Sequence, residues 1–148
     1  MTHKKILVPT DFSSSSEAAM RAATSLARDN QAKLLIVHVE EPPLAYGAGE
    51  FYVGAAALDD TQELAEQLAR VVPSDPAIEY EHRLVSGDPA REIVHLAEEE
   101  HADLIVMGTH GRTGLIRLLM GSVAESVVRH ATCPVFTLRQ PAEAEVES

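Results

Sequence analysis

Short apolar runs recur along the chain, and longer amphipathic stretches separate them. Runs of leucine and β-branched residues, such as Ile6-Leu7-Val8, are typical of strands that are covered on both faces. The run at Ile78–Val85 alternates less cleanly, with Ile78, Tyr80, His82 and Leu84 on one side, which indicates a half-exposed edge strand. The pattern predicts five strands, at Ile6–Val8, Lys33–Val39, Ile78–Val85, Leu104–Met107 and Pro134–Leu138.

The first amphipathic stretch predicts a helix that packs closely on the sheet, because the residues at helical spacing are small: Ala19, Ala22, Ala23 and Leu26. Ser13 to Ser16 are candidates for its N-cap, and Ser14-x-x-Glu17 has the spacing of a capping box. The second helix is expected over Leu58–Val71, after an irregular stretch rich in proline and glycine.

Two further helices have clear start signals. Asp88-Pro89 places an N-cap aspartate before a proline at the first helical position. The last helix follows Gly121, and Ser122-x-x-Glu125 is a second possible capping box. Its buried side is expected to consist of Val123, Val127 and Val128.

Strands that alternate with helices predict an open doubly wound, Rossmann-like α/β domain with a parallel sheet. Residues 1–140 form this single domain, and the acidic residues 141–148 are expected to be a flexible tail. Ligands of such sheets bind beyond the carboxyl ends of the strands, where the winding direction reverses.

Charge and composition narrow the possible partners. The net charge of −11, with six aromatic residues and no Trp, argues against binding of DNA or RNA. Apolar runs of about five residues are far shorter than the roughly 20 residues of a membrane helix. The opening residues lack the apolar core of a signal peptide, so a soluble cytoplasmic protein is expected.

Metal and nucleophile signals are weak. Cys133 is the sole cysteine, which excludes a disulfide framework and predicts a structural thiol. The seven histidines have no spacing that would bring two ligands to one helix face.

A glycine-rich loop after the fourth strand carries the main chemical signal, Gly108-x2-Gly111-x9-Gly121-Ser122. Glycines allow a ligand to approach backbone N–H groups, and the loop leads to a helix N-terminus that favours an anion such as phosphate. In the alternative, the glycines serve only for turning and Ser122 is an ordinary N-cap. No Walker A motif is present.

Arg112 and Arg117 belong to a segment that has no acidic residue between Gly108 and Glu125. Either arginine can pair with phosphate oxygens or remain in solvent. For His110, between two loop glycines, a contact through the backbone is expected rather than catalysis.

This glycine spacing resembles the nucleotide-binding signature of the universal stress protein family, in its ATP-binding branch. Segments along nearly the whole chain are similar to that family as well: Lys5–Ser13, Leu35–Val39, Gly87–Ile93 and Cys133–Leu138. The resemblance implies the strand order 3-2-1-4-5, which places Pro9-Thr10-Asp11 beside Gly108–Gly111. It also implies homodimers through pairing of the strands at Pro134–Leu138.

The resemblance further implies that Asp11 contacts the ribose or an associated metal ion, and that the backbone of Val39 contacts the adenine edge. Without it, Asp11 would be interpreted as a turn residue or helix cap, and Val39 as core. The predicted nucleotide site comprises Pro9, Thr10, Asp11, Val39, Met107, Gly108, His110, Gly111, Arg112, Gly121, Ser122 and Val123.

The sequence therefore favours a regulatory protein that holds ATP, or AMP or ADP, together with Mg²⁺ or Mn²⁺ and acts on unknown protein partners. A slow ATPase or phosphate-transferring enzyme is the first alternative, although no residue fits a general base. A protein-interaction module that needs no nucleotide is the second, and the intact glycine motif weighs against it.

Overall fold

The computed structural model describes residues 4–42, 61–109 and 121–139. The strands are β1 (Lys4–Pro9), β2 (Ala32–Glu40), β3 (Tyr80–Ser86), β4 (Leu104–Gly108) and β5 (Val135–Leu138). The helices are α1 (Ser14–Asn30), α2 (61–69), α3 (Pro89–Glu99) and α4 (Ser122–His130). The predicted tail at 141–148 lies outside the described residues, as does most of the irregular stretch before α2.

All five strands are parallel and lie in the order β3-β2-β1-β4-β5, which confirms the predicted doubly wound α/β fold. In the centre of the sheet, Leu7 pairs with Leu35 on one side and with Ile105 on the other. The winding reverses between β1 and β4, so the carboxyl ends of these two strands form a crevice.

Alternate residues of the buried strands pack on opposite faces of the sheet. In β1, Ile6 and Val8 contact the layer that holds α1 and α2, while Leu7 contacts the layer that holds α3 and α4. Both faces are therefore covered, which explains why the central strands are continuous apolar runs. The partly exposed strand β3 forms one edge of the sheet, as its alternating pattern predicts.

Helix α3 begins as predicted, because the Asp88 side chain accepts a hydrogen bond from the N–H of Arg91 and Pro89 is the first helical residue. The expected capping box at Ser14 and Glu17 is wrong. Ser13 is the N-cap of α1, and its side chain accepts a hydrogen bond from the N–H of Ser16 at 3.2 Å. Ser13 is held in extended conformation by its own N–H, which donates to the Asp11 carboxylate.

Two expectations about α4 are also wrong. Gly121 is its N-cap and Ser122 is already helical, so Ser122 and Glu125 form no capping box. Val128 is 47% exposed, whereas Ala124 and Val127 are buried. The last helix therefore presents an alanine to the core where a valine was expected, and leaves an apolar side chain on the surface.

Charged side chains cover the amino-terminal end of the sheet on the α3 side. Glu81 contacts Lys33 at 3.0 Å and Arg83 at 2.8 Å. Glu100, just after α3, contacts Lys5 at 2.9 Å and Arg83 at 3.0 Å. The hydrogen bond from Lys33 and then that from Arg83 lower the pKa of Glu81, and those from Lys5 and Arg83 lower the pKa of Glu100. This network connects β1, β2, β3 and the end of α3.

Among the described residues, no helix has the length and apolar character needed to span a membrane.

The network predicts that Glu100→Gln lowers the free energy of unfolding by roughly 1 kcal/mol at neutral pH, because two cations lose their shared carboxylate. The pKa of Glu100 is lower in the folded than in the unfolded chain, so its stabilisation is complete above its ordinary value of 4.5 and is lost as pH falls through the folded value. Urea unfolding of the wild type and of Glu100→Gln from pH 7 to pH 3 should therefore give free energies of unfolding that converge at acid pH.

The control Glu99→Gln removes an exposed partner of His95 and should have little effect on the free energy of unfolding. A pH-independent difference for Glu100→Gln would contradict this explanation.

Candidate functional site

A cleft of about 530 Å³ lies at the carboxyl ends of β1, β2 and β4, where α4 begins. Its volume falls within the range of small-molecule sites in proteins. The switch point of the sheet is where a doubly wound fold is expected to hold its ligand, and the cleft is located there.

Thr10, which is 8% exposed, fixes the backbone beyond β1 through four hydrogen bonds. Its hydroxyl accepts the N–H of Phe12 at 3.0 Å. Its N–H donates to the carbonyl of Val37 at 2.8 Å, and its hydroxyl contacts that of Ser16 at 3.1 Å. Its carbonyl accepts a hydrogen bond from Nδ1 of His38 at 2.7 Å. Because a carbonyl can only accept, Nδ1 of His38 carries the proton. The end of β1 is therefore rigidly placed against β2 and α1.

Asp11 is half-buried on the cleft wall and has a structural contact as well. Its Oδ1 accepts the N–H of Ser13 at 3.1 Å, which is the turn role that the sequence left open. Its Oδ2 accepts no hydrogen bond from any residue in the described ranges, so this oxygen can still face a ligand. The two interpretations of Asp11 are compatible because they use different oxygens.

Gly108 ends β4 directly against the first turn of α1. A methyl group at this position would lie 2.8 Å from the carbonyl oxygen of Ser15, closer than side-chain carbons approach backbone oxygens. The hydroxyl of Ser15 is buried there without a hydrogen-bond partner in the described part of the chain. Glycine at 108 thus permits close packing of α1 on β4, a requirement that the glycine motif alone did not reveal.

The start of α4 is joined to the end of β4. The N–H of Gly121 donates to the carbonyl of Thr109 at 2.5 Å, and the N–H of Thr109 donates to the carbonyl of Leu138. Gly121 is extended at φ −65° and ψ 160°, so α4 begins only after it. Ser122, Val123 and Ala124 form the first turn and line the cleft. Their N–H groups precede the intrahelical hydrogen bonds, so the partial positive charge of the helix N-terminus lies at the cleft.

Nine of the predicted site residues lie within the described ranges, and all nine line this cleft: Pro9, Thr10, Asp11, Val39, Met107, Gly108, Gly121, Ser122 and Val123. The other three, His110, Gly111 and Arg112, lie outside the described residues together with Arg117. The structure thus brings together segments that lie far apart in the sequence.

Sequence reasoning missed several lining residues. His38 and Glu41 flank the predicted Val39 at the end of β2, and they could have been found because neighbouring parallel strands end at the same edge. Thr109 also lines the cleft and could have been found, because it directly follows Gly108 at the end of β4. Ser16 and Ile93 line it as well, but their positions depend on how α1 and α3 pack on the sheet.

The histidines and Cys133, which could in principle bind a metal or act as a nucleophile, form no metal-binding or catalytic cluster among the described residues. No group of three His, Cys, Asp or Glu side chains there could hold a metal ion. Burial raises the pKa of the Cys133 thiol, and the charge of Asp103 raises it further. A raised pKa disfavours the reactive thiolate, in line with the predicted structural role of this cysteine.

Fold and cleft together define an α/β domain with a cleft at its switch point. The sequence profile described as the universal stress protein family matches residues 2–139. The chain belongs to the universal stress protein family.

Individual relatives agree with this assignment. A universal stress protein of Methanocaldococcus jannaschii is 35% identical over 142 residues, covering 94% of this chain and 84% of the relative. A homologue from Staphylococcus aureus strain USA300 is 38% identical over 144 residues, covering 94% of this chain and 86% of its own.

Solved structures resemble the fold over nearly its full length. The protein MJ0577 superimposes with a TM-score of 0.81 at 29% identity, covering 95% of this chain and 98% of its own. A universal stress protein in complex with cAMP superimposes with a TM-score of 0.62 at 29% identity, covering 94% of this chain and 98% of its own. The universal stress protein of Archaeoglobus fulgidus in complex with dAMP superimposes with a TM-score of 0.59 at 25% identity, covering 93% of this chain and 98% of its own.

The packing of Gly108 predicts that Gly108→Ala destabilises the fold by about 1–3 kcal/mol, because the added methyl group displaces the first turn of α1. The matched substitution Ser15→Ala removes a buried hydroxyl that lacks a partner, so it should be neutral or stabilising by up to about 1 kcal/mol. Thermal unfolding of the two variants checks both. Equal stability of Gly108→Ala and the wild type would show that α1 does not pack as described.

Proposed function

We propose that this protein is an ATP-binding regulator of the stress response, and that the cleft between β1 and β4 holds the nucleotide. The observation that carries the proposal is the convergence of four separated sequence segments, at 9–11, 39, 107–108 and 121–123, on one cleft. Complexes of family members with cAMP and dAMP support an adenine nucleotide as the ligand.

The position of each lining residue suits one part of the nucleotide. Val39 lies at the end of β2, where its backbone is available to the edge of the base and its side chain to the ring. The Oδ2 of Asp11, which accepts no hydrogen bond from the described part of the chain, suits a ribose hydroxyl or a metal-bound water. Gly121, Ser122 and Val123 at the start of α4 suit the phosphates, because backbone N–H groups and the helix dipole favour an anion.

Charge supports a divalent cation bound together with the nucleotide. Among the described lining residues, Asp11 and Glu41 are acidic and none is Lys or Arg. A triphosphate beside two carboxylates is unfavourable unless a cation neutralises it. Mg²⁺ or Mn²⁺, held by the phosphates and by Asp11 through water, would do so, since Mg²⁺ in nucleotide sites takes few protein ligands. Arg112 of the glycine loop, with His110 and Gly111, is proposed to complete the phosphate site.

Slow hydrolysis remains the second candidate because Glu41 and His38 also line the cleft. Either group could orient a water molecule, although Nδ1 of His38 is already bonded to Thr10. Glu41→Gln would then abolish turnover while ATP binding is retained. A regulator that holds ATP without hydrolysing it would show no turnover in either protein.

The outer edge of β5 pairs with no other strand of the described ranges and suits a homodimer. β5 is an outer strand of the sheet, with Phe136 on it 42% exposed and Val128 of the neighbouring α4 47% exposed. Exposed apolar side chains beside an unpaired strand edge favour pairing with a second copy. Residues 134–138 are therefore the proposed dimer contact.

Purified protein should release stoichiometric adenine nucleotide on denaturation, as identified by chromatography. The number of phosphates on the released nucleotide distinguishes a protein that holds ATP from a hydrolase. Protein that is empty and does not take up Mg·ATP in calorimetry would instead favour the nucleotide-independent interaction module.

Gly121→Val should lower the affinity for Mg·ATP at least about a hundredfold, because a branched side chain would occupy the start of α4 where the phosphates are proposed. The control Glu125→Ala changes an exposed residue of the same helix whose contact is a surface ion pair with Arg129, and it should bind normally. Isothermal titration calorimetry measures both. Unchanged affinity in Gly121→Val would show that the nucleotide is placed wrongly.

Phe136→Asp should convert the dimer to a monomer in light scattering, since a charge would be buried at the strand edge. The matched control is Tyr80→Asp, which changes an aromatic residue that is 43% exposed on the opposite edge strand, β3. If Tyr80→Asp dissociates the dimer and Phe136→Asp does not, the β3 edge is the interface.

A further inference from the structure

A second cleft, of about 430 Å³, lies between α1 and the segment that follows α2. Its apolar lining consists of Phe12, Met20, Val71 and Val72. Met20 is buried, whereas Val72 is 44% exposed, so the apolar surface extends from the core to solvent. An open apolar cleft of this volume is suited to a small molecule with a nonpolar part.

Two arginines lie at this cleft, Arg21 on α1 and Arg70 just after α2. Of the ten lysines and arginines in the described ranges, five form ion pairs: Lys5, Arg28, Lys33, Arg83 and Arg129. Arg21 and Arg70 pair with no acid in those ranges, although Glu17 also lines the cleft. The lining therefore carries a net charge of about +1 in a protein whose net charge is −11.

We propose that this second cleft binds a small amphipathic anion. Its apolar part would pack on Phe12, Met20 and Val72, and its carboxylate or phosphate would pair with Arg21 and Arg70. Guanidinium groups form two parallel hydrogen bonds with either head group, so the chemistry accommodates both. Thr24 also lines the cleft, but we do not assign it to the head group, because its hydroxyl already donates to the carbonyl of Met20 at 2.8 Å.

The wall between the two clefts is built from residues that belong to both. Thr10 and Ser16 line each of them, and their hydroxyls are 3.1 Å apart. The ring of Phe12 in the second cleft lies 4.6 Å from the ring of His38 in the first, centre to centre. Phe12 has φ of 67°, a backbone conformation that is rare for a bulky residue.

A ligand on Phe12 would therefore act on His38 and, through it, on the carbonyl of Thr10. We expect the second ligand to change the affinity of the first cleft for nucleotide. This coupling rests on the proposed function, whereas the second site does not.

The site is tested on the full chain, labelled with ¹⁵N, by titration with octanoate and observation of backbone amides. Saturable shifts at Met20, Arg21 and Arg70 to Val72, with a dissociation constant on the order of 1 mM, are expected for an anion of this size. Octyl phosphate should produce the same pattern, while acetate lacks the tail and 1-octanol lacks the charge, so both should bind much more weakly. Equal shifts with 1-octanol, or shifts confined to Asp11, Val39 and Ser122, would overturn the proposal.

The double variant Arg21→Glu/Arg70→Glu should weaken octanoate binding roughly tenfold or more. Arg91→Glu/Arg139→Glu is the matched control, since it changes the charge equally at two other exposed arginines that have no ion pair in the described ranges. The control should bind as the wild type does. An equal loss in both variants would mean that only net charge matters, and would exclude the site.

Coupling is measured by repeating the octanoate titration with saturating Mg·ATP, and the ATP titration with octanoate. Linkage requires the two affinities to change by the same factor. No change in either affinity would remove the coupling. Octanoate binding to Gly121→Val, which is designed to lose nucleotide, tests the second site independently of the proposed function.

Discussion

The parallel pairing of β1 with β4 is the constraint on which the cleft depends. It places Ile6 beside Leu104 and Leu7 beside Ile105, and both strands then end at the same edge. The helices that come next in the chain lie on opposite faces of the sheet, α1 on one and α4 on the other, and a crevice lies between them. Because no side chain fits between Gly108 and the first turn of α1, the width of the crevice is fixed by backbone packing.

Thr10 connects the end of β1 to the neighbouring strand and helix. Its contacts with Val37, Ser16 and His38 attach the end of β1 to β2 and α1 at the same time. A short polar residue that is nearly buried and fully hydrogen-bonded makes this junction stiff. The same junction separates the two clefts, so a change on one side of it reaches the other through few atoms.

The two ends of the strands carry different arrangements of charge. At the amino-terminal ends of the strands, Lys5, Lys33 and Arg83 are paired with Glu81 and Glu100. At the carboxyl ends, the described lining of the first cleft carries Asp11 and Glu41 and no lysine or arginine. If the proposed nucleotide binds there, the attraction for its phosphates would come from the α4 N-terminus, from a metal ion or from the glycine loop, and not from lysines or arginines of the described lining.

The sequence by itself determined the strands, the helices and the fold class, because hydrophobic period and start signals such as Asp88-Pro89 are local properties. The glycine loop and Ser122 were signals of the sequence itself, whereas the resemblance to the family supplied the strand order and the roles of Asp11 and Val39. Tertiary structure decided what local patterns could not: Ser13 caps α1 in place of Ser14, Val128 faces solvent, and Gly108 is required by Ser15 of a distant helix. His38 and Glu41 line the cleft because β2 pairs with β1 and both strands end at the same edge. They follow from the strand order, whereas no single segment encodes which strands pair.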